Sequence, residues 1–359
     1  ACPCALVLAT PIAVVAGVAN GARRGILIKG GDRLEAAGRV TAVAIDKTGT
    51  ITLGKPEVMK IVALDSIPER NVLEAAAIAE RLSEHPLGKA VVAKAQQWGL
   101  RILDADEFKV LPGQGVIARQ DDNMIVVGTE KLLGETGIRF PVTLGPAVDN
   151  LEGEGLTPLL VASSGKVIGI IGIADTVRED MRQAINSLKD TGVGKMLMLT
   201  GDNSEVAKRV AAAVGIDEWQ SRLLPQQKVE CVKDLQKKGY NVAMMGDGLN
   251  DAPALAQADV GIAVGVNGTD IAMDVADIVL MKDDALKAAE AISLSRKTLK
   301  TIKQNIGFAL VINMLGVAMA SSGLMSPIVA ALFHNVGSVA VVVNSARLVG
   351  WKMNAAIGT

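Results

Sequence analysis

Asp46-Lys47-Thr48-Gly49-Thr50 sets a carboxylate at the head of a turn rich in backbone N–H and hydroxyl groups. Such a turn can hold phosphoryl oxygens while Asp46 attacks phosphorus in line. Alone, the pentamer reads as readily as a solvated aspartate in a β-turn. Two further clusters shift the balance. Gly246-Asp247-Gly248-Leu249-Asn250-Asp251 offers two carboxylates, with glycines that permit close approach. Asp46 and Asp247 together could hold one Mg2+, a hard cation that takes a few carboxylate oxygens plus water. Thr200-Gly201-Asp202 adds a hydroxyl for the phosphate, and Lys228, after Pro225, adds a charge to offset the transition state.

These residues need a common edge. Val40–Ile45 runs into Asp46, Lys195–Leu199 into Thr200, and Asn241–Met245 into Gly246, each an apolar, strand-like run. Helical patterns lie between them at Val206–Val214 and Gln227–Lys238. The alternation predicts a parallel α/β sheet with all three clusters at its carboxyl edge. About 150 residues separate the first two strands, too many for one crossover, so an inserted domain is expected. It holds a helix over Asn71–Leu82 and strand-like runs at Val116–Ala118 and Met124–Val127, and the sheet is expected to resume at Val167–Ile173.

Half of the 359 residues are apolar and mean hydropathy is +0.34, with the excess concentrated in two places. Asn305 to Ala346 carries no charge and is broken only at Gly323 to Pro327. Each half is about 20 residues, enough to cross a bilayer. Ala1–Val18 reads as the end of another membrane helix whose beginning is missing. Arg23, Arg24, Lys29, Lys300, Lys303, Arg347 and Lys352 flank the apolar segments, so the catalytic parts are expected on the cytoplasmic side. An integral protein of the plasma (inner) membrane is the expectation. The net charge of −1 leaves no basic excess for nucleic acid. Three cysteines make no disulfide framework, and Cys231 falls on a helix's apolar side.

The strings DKTGTIT, MLTGDN and GDGLNDAPALAQADVGIAVGVNGTDIAMDVADIVL resemble the phosphorylation domain of P-type ATPases, within the haloacid-dehalogenase superfamily. The resemblance implies a haloacid-dehalogenase-like Rossmannoid domain with an inserted α+β nucleotide-binding domain, plus transmembrane helices. It implies that Asp46 is phosphorylated by ATP, with Thr48, Thr200, Lys228 and Asp251 around the phosphate. Mg2+ would sit on Asp46, Thr48 and Asp247. Asp175 and Arg178 match the family's hinge motif beside the nucleotide, and Gly201 and Asp202 are implied as further nucleotide-binding residues. The divisions that follow are 1–22, a partial membrane helix; 23–54 with 165–290, the phosphorylation domain; 55–164, the nucleotide-binding domain; and 291–359, a membrane hairpin and tail.

Ser83-Glu84-His85-Pro86-Leu87 resembles the SEHPL signature of heavy-metal pumps. It implies adenine contacts from Glu84 and His85, with Gly113-Gln114-Gly115 letting backbone approach the nucleotide. Gly128-Thr129 stands where the family often has Gly-Asn. Cys2-Pro3-Cys4 resembles the metal-site helix of these pumps. Pro3 interrupts the helix, so two thiols can face a common point as soft-metal ligands. Asn313, His334, Asn335 and Ser338 are further candidates, because polar groups inside membrane helices often mark a transport path. Neither the copper pattern nor the zinc and cadmium pattern of the family is present. Imidazole with two thiolates favours a divalent ion such as zinc, manganese, iron or cobalt, with Cu(I) second.

A soluble phosphatase of the same superfamily would commonly carry an aspartate at position 48, where this chain has Thr48. A non-catalytic subunit would lack one of Asp46, Asp247 and Asp251. The family's actuator loop has no match here, so upstream helices and that domain are expected partners, and slow turnover without transport is expected of these residues alone.

Overall fold

The computed structural model describes residues 4–64, 67–248, 251–264, 270–281, 284–323 and 326–353. All five residues of the Ala42–Asp46 strand are buried, because each face meets its own core. Val43 and Ile45 join Ile185, Met245 and Ile262 on one side, while Ala42 and Ala44 join Leu199, Leu235 and Met244 on the other. This is period-two burial with helices on both faces. Met181–Asp190 and Ser204–Val214 cover the first face, and Pro225–Lys237 with Ala252–Gln257 the second. The strand order is Ile26–Ile28, Ile278–Leu280, Val260–Ala263, Val242–Gly246, Ala42–Asp46, Lys195–Leu199, Trp219–Gln220. Among the described residues, only the Ile26–Ile28 edge of this sheet runs antiparallel. The expected parallel sheet is therefore present, and its central three strands end together.

A second sheet, of six antiparallel strands, is entered directly from the turn after Asp46. Its order is Thr52–Ala63, Lys166–Val177, Thr157–Ser163, Asn123–Gly128, Gly115–Gln120, Glu107–Leu111. Here the structure corrects the sequence reading. Val167–Ile173 does not rejoin the first sheet but pairs with Thr52–Ala63 and Thr157–Ser163. The inserted unit accordingly runs from Thr52 to Val177, not from 55 to 164. The strand has apolar neighbours on both faces: Ile171 and Ile173 face the Glu69–Glu80 and Pro86–Gln97 helices, while Val167 and Ile170 face the Glu130–Glu135 and Gly145–Gly153 side. A run buried on both faces looks alike in either kind of sheet. The insert's two ends meet where Arg178 N–H donates to Ile51 O at 3.0 Å.

The helix Leu286–Ser321 is continuous for 36 residues, so the boundary expected at 290/291 falls inside one rod. Its first turns place Ala288, Ala289, Ala291 and Ile292 in the core of the parallel sheet. Further along, Phe308, Leu310, Val311 and Met314 are exposed. It packs with Cys4–Arg23 and Pro327–Ala346 through Ala9, Ala309 and Val341. Asn305 Nδ2 donates to Ser345 Oγ at 2.8 Å, and Asn344 Nδ2 donates to Asn305 Oδ1 at 2.8 Å, which joins Leu286–Ser321 to Pro327–Ala346. Ala5–Arg23 and Leu286–Ser321 are long and apolar enough to cross a membrane.

Candidate active site

Asp46 ends the central strand, 3% exposed, and meets a lysine from the helix that follows Pro225. Pro225 opens that helix, and Gln227 Oε1 accepts from Leu224 N–H at 2.8 Å, which fixes its first turn. Lys228, on this turn, donates from Nζ to Asp46 Oδ1 at 2.5 Å and to Asp251 Oδ1 at 2.6 Å. All three side chains are buried. Burial first, and then the Asp251 charge, push the Asp46 carboxyl up to about 8, with Lys228 pulling it back. Burial works against charge on Lys228, but the two carboxylates outweigh it and raise its pKa above the usual lysine range.

Asp247 reaches the same place from the neighbouring strand. Gly49 has φ 72°, and a Cβ there would lie 2.5 Å from Asp247 Oδ2, so only glycine lets the turn close on this carboxylate. Thr48 is exposed on that turn. Carboxylates converging in a buried pocket carry more negative charge than Lys228 balances, and Asp251 Oδ2 is buried with no hydrogen-bond partner among the described residues. The donor set is hard oxygen, and it fits Mg2+.

The other predicted residues brace this centre. Thr200 is 1% exposed, and its Oγ1 accepts from Asp202 N–H at 3.1 Å. Asp202 in turn ion-pairs with Lys47 at 2.5 Å, a tie between two strand-end loops that the sequence reading did not identify. Arg178 donates to Thr50 O at 2.9 Å and Gly49 O at 3.1 Å. Asp175 accepts from Lys55 N–H at 3.0 Å and from the Thr52 hydroxyl. These two residues hold the backbone of the Asp46 turn where the insert begins.

In the insert, a cavity of about 240 Å3 is lined by Glu80, Ser83, His85, Gly113, Gln114, Gly115 and Thr129, among others. His85 Nδ1 accepts from Leu87 N–H at 3.2 Å and caps the Pro86–Gln97 helix, which leaves Nε2 as the ring's donor. A Cβ on Gly115 would lie 2.1 Å from Val127 O, so the glycine loop closes tightly on the next strand. Two carboxylates lie near His85 in sequence. Glu84 is exposed and does not line the cavity, whereas Glu80, four residues earlier, does. Glu80 lies on the buried side of its helix, with Ala76 and Ala77, one turn before Ser83. A second cavity of about 430 Å3 shares Thr129, Thr157 and Pro158 with the first and continues to Gly201, Asp202 and Asn203 at the parallel sheet's edge. Both cavities border the ends of the same strands, and the second lies beside the loop after Lys195–Leu199.

Burial raises the Glu80 carboxyl above its ordinary value, and a hydrogen bond from Ser83 opposes the shift. The folded chain therefore holds that proton more tightly than the unfolded chain. The contribution is full below the unfolded carboxylate range and is lost as pH rises through the raised one. Glu80→Gln should thus raise the unfolding temperature at neutral pH, with the gain vanishing in acid. Thermal melts at pH 4 and pH 7.5 check it, and a destabilised variant at the higher pH would contradict it.

Of the membrane set, Cys2 lies outside the described residues and Cys4 opens its helix. Asn313 sits on Leu286–Ser321, while His334, Asn335 and Ser338 sit on Pro327–Ala346. Asn335 is exposed, and Asn313 and Ser338 are half-buried. Cys231 is half-buried against Leu235 and its neighbours, as its helical spacing predicts.

The profile of the haloacid dehalogenase-like hydrolases matches residues 40–259, which include Asp46 and its partners. The chain is 44% identical over 356 residues to a manganese-exporting P-type ATPase of Mycobacterium leprae, covering 99% of this chain and 49% of that one. The crystal structure of a zinc-transporting PIB-type ATPase in the E2.Pi state superposes with TM-score 0.81 at 39% identity, over 97% of this chain and 56% of that one. The catalytic domain of the CPx-ATPase CopB-B is matched over 97% of its length and 76% of this chain, with TM-score 0.62 and 32% identity. The chain belongs to the haloacid dehalogenase-like hydrolases and, within them, to the heavy-metal P-type ATPases. It spans about half the length of the curated relatives it matches.

Proposed function

We propose that this chain drives export of a divalent transition-metal cation across a membrane, powered by ATP through a phosphate carried on Asp46. The observation that supports this most is Lys228 bridging Asp46 and Asp251 in a buried cluster at the carboxyl edge of the parallel sheet. Lys228 engages Asp46 Oδ1, so Oδ2 is the oxygen that attacks the γ-phosphorus. The new O–P bond forms as the bond to ADP breaks, and ADP is the leaving group. Lys228, the Thr200 hydroxyl and the turn's N–H groups take up charge on the transferring oxygens. Mg2+ on Asp46, Thr48 and Asp247 would screen the repulsion between carboxylate and triphosphate. Asp175 and Arg178 keep the turn in place while the insert carries the nucleotide. Thr48 offers no useful basicity to a hydrolytic water, so the phosphoenzyme should persist until another group supplies one.

Cys2, Cys4 and His334 are the proposed ion ligands, with Asn313, Asn335 and Ser338 along the path. Two thiolates with an imidazole suit a 2+ ion. The catalytic units would face the cytoplasm from the plasma membrane. In the full-length protein, Cys2→Ala with Cys4→Ala should remove metal-stimulated ATP turnover across a panel of zinc, manganese, iron, cobalt and copper. ATP binding should stay within about two-fold of wild type, since an effect confined to one site is additive with distant ones. Retained stimulation by any of the metals would rule the cysteine site out.

A further inference from the structure

The cavity beside His85 holds a side chain that phosphoryl transfer does not use. Gln114 lies between two glycines, and its backbone is engaged on both sides. Its N–H donates to Leu111 O at 3.0 Å, and its carbonyl accepts from Thr129 N–H at 2.8 Å. No hydrogen bond from the Gln114 side chain contributes to that loop. Its Oε1 is buried without a hydrogen-bond partner among the described residues, and the residue lines the cavity. Buried polar atoms are ordinarily paired, so an unpaired one on a residue that lines a cavity leaves a place for a donor once a ligand is bound. Glu80 Oε2 is a second buried acceptor in the same condition, lining the same cavity. Against these stand the His85 ring, whose free nitrogen is a donor, and the Gln114 NH2.

We infer that Gln114 is the residue that reads the base, selecting adenine through its exocyclic amino group. A carboxamide and adenine are complementary: the amide oxygen accepts from N6–H while the amide NH2 donates to the adjacent ring nitrogen. The amino group has two hydrogens, which suits a cavity whose lining residues Gln114 and Glu80 each hold an unpaired acceptor among the described residues. Guanine and hypoxanthine carry a carbonyl oxygen at that position, which sets acceptor against acceptor. A site built to pair an N–H rejects the analogue that lacks it, because its own polar groups are then left unpaired. This inference rests on the nucleotide reading of the cavity.

The test is nucleotide binding by calorimetry to the whole chain in detergent, using ATP, GTP and N6,N6-dimethyl-ATP. Wild type should prefer ATP over both by on the order of ten-fold or more. Gln114→Met keeps the length and removes the hydrogen bonds, so it should lose most of that preference by weakening ATP alone. Gln114→Glu keeps an acceptor, so it should retain part of the preference for ATP over the dimethyl analogue. If Gln114→Met prefers ATP as strongly as wild type, Gln114 does not read the base, and the nucleotide site still stands. Equal weakening toward all three nucleotides would also overturn the inference, because it marks loss of cavity shape. If wild type binds none of the three, the nucleotide reading falls, and this inference with it.

Discussion

Incubated with Mg2+ and γ-labelled ATP, the chain should acquire a hydroxylamine-labile phosphate, and Asp46→Asn should lose it by at least about 10^4-fold. The carboxamide fills the same space but cannot attack phosphorus. The substitution also separates chemistry from folding. Burial and the Asp251 charge push Asp46 up to about 8, so a neutral group in its place relieves repulsion. Lys228 keeps Asp251 as a partner at 2.6 Å. Unfolding temperature should therefore hold or rise while labelling disappears. Labelling of the variant at wild-type level would remove Asp46 from the reaction.

Lys228→Met should cost both chemistry and stability. Removing one preorganised charge from a phosphoryl-transfer site slows the step by about 10^2- to 10^3-fold. Unlike Asp46→Asn, this change leaves two buried carboxylates facing each other with no cation between them. Breaking one partner out of a buried ion pair destabilises by about 3–5 kcal/mol. Adding Asp251→Asn to Lys228→Met should return much of that stability, because one of the two charges is then gone, without returning activity. Chemical denaturation of the single and double variants measures the coupling. A double variant no more stable than Lys228→Met would show that the loss is one of packing.

The cluster around Asp46 was legible because its residues lie in short stretches at strand ends. Val40–Ile45 announces a buried strand, and the turn after it needs Gly49 whatever else the chain does. The parallel arrangement was legible only where helices separate the strands. Val167–Ile173 was misassigned because its Val, Ile and Gly pattern describes burial, and burial does not name the partner strand. Glu80 escaped notice for a related reason. A glutamate at the end of an Ala-rich helix reads as solvated, and only its phase with Ala76 and Ala77 points inward. Gln114 carries no sequence signal at all, since the flanking glycines explain the loop by themselves. Lys47 pairing with Asp202 joins residues far apart in the chain, which no local pattern reports.

The insert leaves and returns through paired neighbouring strands, Thr52 opposite Val177, with Ile51 and Arg178 joined by a backbone hydrogen bond. That arrangement has a consequence for the order in which the chain folds. Closing a flexible loop of roughly 125 residues costs about 4 kcal/mol of chain entropy. If the insert folds first, its own antiparallel pairing brings positions 51 and 178 together, and the parallel sheet then forms as though the loop were a tight turn. If it has not folded, the Ala42–Asp46 strand must find Lys195–Leu199 across the whole open loop. Native contacts of the insert should therefore be early, and mutations such as Ile171→Val in its core should slow refolding of the distant parallel sheet.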